Sequence, residues 1–110
     1  MRPMKQLFAL TLVMLSLLLS CSLLHADDSS EAEARRLFNA LGCKGCHQFE
    51  GDGGSLAPPL DQIGSRMTRE QIKSHLEDHA ETRKKGFMPS YSTTSQKELE
   101  LLSDFLYRHK

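Results

Sequence analysis

Cysteine is scarce in this 110-residue chain: Cys21, Cys43 and Cys46 are all there is. Cys43 and Cys46 form the one close pair, and no second pair follows. Structural zinc usually takes its four ligands from two such pairs, so zinc would need outside help, with His75 and His79 as the donors in question. Charge of one sign is also lacking. The residues after Ala26 hold 12 Lys and Arg against 14 Asp and Glu, a formal charge of −2. Without a broad basic excess, nucleic acid is a poor main partner. No alternating strand pattern is convincing, which removes the α/β setting that a thioredoxin-like dithiol requires. Internal repeats and low-complexity tracts are absent after residue 26.

What is present begins with an export pattern. Arg2 and Lys5 give a basic start, and Leu7 to Leu19 is almost wholly apolar. A polar-to-small stretch then ends at Ala26, the order of a secretory signal. These thirteen residues are short for a membrane span, which needs about 20. The expected organisation is therefore a signal over residues 1–26 and one domain over 27–110. A competing signal lies inside the same stretch. Leu18-Leu19-Ser20-Cys21 is similar to a lipoprotein box, whose cysteine carries lipid and becomes the new N-terminus. That alternative tethers the protein to a membrane. Either way the compartment is exported, and periplasmic in a bacterium.

The domain reads as all-helical, with three main segments. The first is expected from Ser30 to Leu41, with Ser29 or Ser30 as its cap and Gly42 as its stop. Ala34, Leu37, Phe38 and Leu41 recur at helical spacing and give it an apolar face. The second is expected over Arg69 to Ala80. Thr68 with Gln71 makes a capping box, and Met67 with Ile72 a hydrophobic staple. The third is expected over Gln96 to Arg108, with Ser95 and Glu98 as its capping box. Leu99, Leu102 and Leu106 form its stripe, widened by Leu101 and Phe105. Residues 48–60 and 81–94 are rich in glycine and proline and are expected to be irregular. So small a domain often leans on a disulfide, metal or cofactor.

Residues 43–47 read Cys-Lys-Gly-Cys-His. Metal binding, a redox dithiol and covalent haem attachment all use such a cysteine pair. A disulfide across so short a loop restrains little of the unfolded chain. Haem attachment uses all three residues: Cys43 and Cys46 add to the two vinyl groups, and His47 ligates the iron. Attachment after export agrees with the N-terminal signal.

With that motif in place, the segment from residue 27 to 110 resembles the small class I bacterial cytochromes c. LFNALGCKGCH at 37–47 looks like the family's first helix running into its haem site, with Phe38 as the helix aromatic. Ala34 departs from the pattern, standing where many members have glycine. Phe105 matches the aromatic of the last helix. APPL at 57–60 resembles the loop whose proline carbonyl accepts the N–H of the iron-bound histidine, which makes Pro58 or Pro59 that residue. KGFMPSY at 85–91 resembles the methionine loop, which implies Met88 as the second iron ligand. A neutral thioether there favours ferrous iron and raises the reduction potential.

The resemblance implies an all-α cytochrome c fold, three main helices and long loops wrapped around one haem c. It implies one-electron transfer rather than enzymatic turnover, with periplasmic respiration as the setting. Rival readings are a haem-based ligand sensor, a small peroxidase with a labile distal ligand, and a haem subunit of a larger complex. His75 and His79 share a helix face and more readily form a solvated surface than a metal site. Lys44 and the run Arg83, Lys84 and Lys85 are candidates for a positive rim that steers acidic redox partners.

Overall fold

The computed structural model describes residues 2–78 and 88–110. The chain divides into two compact units, Met1–Ala32 and Glu33–Lys110. Helix α1 is assigned to Arg2–Ala40. The expected start at Ser30 is thus corrected: no cap forms there. Between Pro3 and Gly42 no glycine or proline interrupts the chain, so nothing breaks the helix. Ser30 Oγ donates to the Asp27 carbonyl at 2.8 Å, a bond back to the preceding helical turn. Thr11, Ser16 and Ser20 bond backward in the same manner.

Within the first unit the apolar side chains are exposed, Leu7, Phe8, Leu10 and Leu19 among them. The apolar character also reaches past the strict 13-residue run. The window Pro3–Ser20 has a mean hydropathy of 1.5 and is long and apolar enough to cross a membrane. Its place near the N-terminus is equally that of a signal sequence.

The second unit carries the core. The end of α1 buries Ala34, Leu37 and Phe38. Gly42 follows in the left-handed conformation, φ 73°, and turns the chain out of the helix. Two short elements then correct the expectation of a wholly irregular segment. β1 (Gln48–Phe49) pairs antiparallel with β2 (Asp52–Gly53). Glu50 and Gly51 between them both have positive φ, 51° and 78°, as a tight two-residue hairpin turn demands. α2 (Ile63–Arg66) was likewise not expected.

α3 (Arg69–Glu77) starts behind Thr68, whose side chain accepts from Gln71 N while Gln71 Oε1 accepts from Thr68 N. It buries Ile72 and Leu76 and ends at Glu77, because Asp78 turns extended at φ −144° and ψ 116°, which corrects the expected continuation; residues 79 and 80 lie outside the described residues. α4 (Gln96–Tyr107) has the same box from Ser95 and Glu98, and stops one residue earlier than expected. It buries Leu99, Leu102, Ser103, Phe105 and Leu106, while Leu101 is only half-buried. Ser103 is a buried hydroxyl satisfied within α4, donating to Leu99 O at 2.6 Å.

α3 packs along α4, and Lys73–Glu100 and Arg69–Asp104 ion pairs bridge them at 3.1 and 3.3 Å. Phe38 of α1, Phe49 of β1 and Phe105 of α4 meet at the centre, with ring centroids 4.9 to 6.0 Å apart. Through Phe49, the hairpin that follows His47 is anchored in the helical core.

Candidate functional site

Cys43 to Gly45 form a single 3₁₀ turn directly after Gly42. Backbone bonds from Cys46 N and His47 N to Cys43 O, at 3.3 and 3.0 Å, continue the winding. Cys43, Cys46 and His47 therefore belong to one turn, although their side chains differ in setting. Cys43 is buried, and burial pushes its thiol up to about 11. Cys46 is exposed, and both thiols are free of any disulfide.

The following loop grips this turn. Gly54 N donates to Lys44 O at 2.9 Å, Ala57 N to Cys46 O at 3.0 Å, and Leu60 N to Gln48 O at 2.9 Å. Ala57 also bridges in parallel to His47. The approach is so close that a Cβ on Gly53 would strike the His47 carbonyl oxygen. Its φ of 113° also disfavours any larger residue.

This wrapping brings Pro58 to His47. His47 Nδ1 lies 2.7 Å from the Pro58 carbonyl oxygen. A carbonyl only accepts, so Nδ1 carries the proton and donates. In the neutral imidazole this leaves Nε2 with a lone pair available to a metal. Pro59 makes a different contact: its carbonyl accepts from the Arg66 guanidinium at 2.7 Å.

Met88 is partly buried against the core. The residues after it are tied down. Tyr91 N donates to Leu76 O at 2.9 Å, and Ser90 Oγ to Glu77 O at 2.6 Å. Burial holds the Tyr91 hydroxyl above its ordinary range, with Cys43 and Cys46 nearby adding to the effect. Leu41, Leu60, Ile63, Met67, Met88 and Tyr91 are apolar side chains only partly covered, packed on the rim of the core.

Haem fits these residues. Two unpaired thiols and an imidazole with a free Nε2 sit on one turn, and partly covered apolar side chains suit a flat apolar macrocycle. Among the described residues no three His, Cys, Asp or Glu side chains come together to hold a metal ion. His75 is half-buried on α3, while His79, Arg83, Lys84 and Lys85 lie outside the described residues. Lys44 is paired with Asp52 at 3.3 Å. His109 is taken up in packing: its ring meets Phe49 and Phe105 at 4.7 and 4.9 Å, and Nδ1 donates to Phe105 O.

Sequence reasoning overlooked Glu50 and Arg35. They form a two-pronged ion pair at 2.7 and 2.8 Å, locking the hairpin turn onto α1. Their separation of 15 positions leaves no local signal in the chain.

Comparison with curated proteins and with solved structures gave no match. The family model described as Cytochrome c matches residues 31–110. That span takes in the wrapped turn, the proline-supported histidine, the methionine segment and all the core helices. A mostly helical chain matched over that length belongs to the cytochrome c family, whose business is haem-based electron transfer.

Proposed function

We propose that this protein is a one-electron carrier of periplasmic respiratory electron transfer. It holds one haem c through thioethers to Cys43 and Cys46, with His47 and Met88 as axial ligands. Bound there, haem supplies the ferric–ferrous couple. The rest is the work of the chain. Pro58 keeps the proton on Nδ1 of His47, aims Nε2 and raises its basicity. Cys43 and Cys46 fix the macrocycle beside that imidazole. Met88 offers a soft, neutral sulfur that favours the reduced state. If His47 and Met88 both held the iron, no position would be left open for substrate, which favours electron transfer over substrate chemistry.

The observation that supports this reading most is the 2.7 Å contact from His47 to Pro58, on a turn that also carries two unpaired thiols. Residues 1–26 act as the export signal, with Asp27 as the first mature residue. Redox partners dock near Lys44 and the Arg83–Lys85 run, drawn by positive charge.

The exported, purified protein tests the attachment. Haem should resist acid–acetone extraction, and replacing Cys43 and Cys46 by alanine should abolish that resistance. Resistance that survives the double replacement would refute thioether attachment at these positions. The reduced protein should also fail to bind carbon monoxide; ready binding would favour a sensor or peroxidase with a labile distal ligand.

A further inference from the structure

The segment after Met88 is fastened at two helix ends. The last carbonyls of any α-helix lack partners inside it. For α3, two of these are met from outside, Leu76 O by Tyr91 N and Glu77 O by Ser90 Oγ, at 2.9 and 2.6 Å. Tyr91 then reaches the other way. Its hydroxyl donates to the Leu41 carbonyl at 3.4 Å, at the end of α1 and two residues before Cys43. Thr94 N closes on Tyr91 O at 2.9 Å, so the segment is folded back as a turn.

We propose that Ser90 and Tyr91 are positioning residues for the Met88 sulfur, capping α3 from outside and strapping the methionine segment to the end of α1. The inference rests on Met88 being an iron ligand. A neutral thioether holds iron weakly, so its occupancy depends on how often the segment lies in its closed place. Met88 and Tyr91 are only three positions apart, a reach of at most about 10 Å fully extended. Straps at Ser90 and Tyr91 therefore leave the sulfur little room to wander. An outside ligand must compete with this tethered sulfur, and its apparent affinity scales with the fraction of open segment.

The test uses the ferric holoprotein and added imidazole as the competing ligand. Tyr91→Phe and Ser90→Ala should each raise imidazole affinity, by about fivefold for Tyr91→Phe and more for the double variant, as expected for losing one or two hydrogen bonds. Thr68→Ala serves as the control, since it uncaps the opposite end of α3. It should lower the denaturation midpoint without changing imidazole affinity. Unchanged affinity in folded Tyr91→Phe and Ser90→Ala, or an equal rise in Thr68→Ala, overturns the strap. A parent protein with no sulfur–iron band overturns Met88 ligation itself, and the strap with it.

Discussion

Glu50 occupies the tip of the hairpin three residues beyond His47, and its surroundings make it titrate unusually. The hydrogen-bonded Arg35 guanidinium holds the carboxylate below its ordinary value of 4.5, with His109 and Lys44 adding smaller pulls. A lowered folded value means that the pair stabilises the fold above pH 4.5 and loses that contribution as pH falls through the lowered value. Both side chains are more than a third exposed, so solvent screening keeps the effect to about 0.5 kcal/mol. Glu50→Gln should cost that much at pH 7 in denaturant titrations, and the difference should close in acid. A cost that persists unchanged at pH 3 would show that charge is not its origin. At Met88 the expected change is larger. Met88→Ala should lower the reduction potential and let the reduced iron bind carbon monoxide, both read directly from spectra. At this scale the sequence was informative where chemistry is compressed into a few neighbours. Cys43, Cys46 and His47 stand within five positions, and Pro58 or Pro59 was expected beside His47. The carbonyl that meets the imidazole is that of Pro58, while Pro59 receives Arg66, a choice made by loop geometry alone.

Elements were legible in proportion to how local their signals are. The capping boxes at Thr68–Gln71 and Ser95–Glu98 each lie within four residues, and α3 and α4 begin behind them. The start of α1 differs from the sequence expectation because a serine hydroxyl can either cap a helix or bond back into one. With no breaker before Gly42, Ser30 does the latter. The hairpin was invisible because strands of two residues carry no alternation, and its glycines read only as loop. Its role is nonetheless exacting, since Gly53 lies against the His47 backbone. Gly53→Ala forces a methyl into that carbonyl and should cost about 1–3 kcal/mol, measured as a lower denaturation midpoint with reduced yield of haem-loaded protein. Normal yield and midpoint would mean that the loop can move aside without disturbing the turn.

The whole molecule combines an apolar N-terminal unit with a helical unit whose core closes beside the turn of Cys43, Cys46 and His47. Intact mass of the mature protein tests the proposed processing: it should begin at Asp27 and carry one haem, whereas a lipidated Cys21 would begin six residues earlier. Docking depends on the surface field rather than on any one contact. Neutralising Lys84 and Lys85 should slow electron transfer to an acidic partner at low salt, with the difference fading as salt screens it. Equal rates and equal salt dependence would place docking elsewhere. The central claim, that this chain carries electrons on an iron held between His47 and Met88, meets its most direct test in one absorption spectrum. The exported, oxidised protein at neutral pH should show the weak far-red sulfur–iron band, and Met88→Ala should lack it. A parent spectrum without that band, or a band that survives Met88→Ala, would contradict the account.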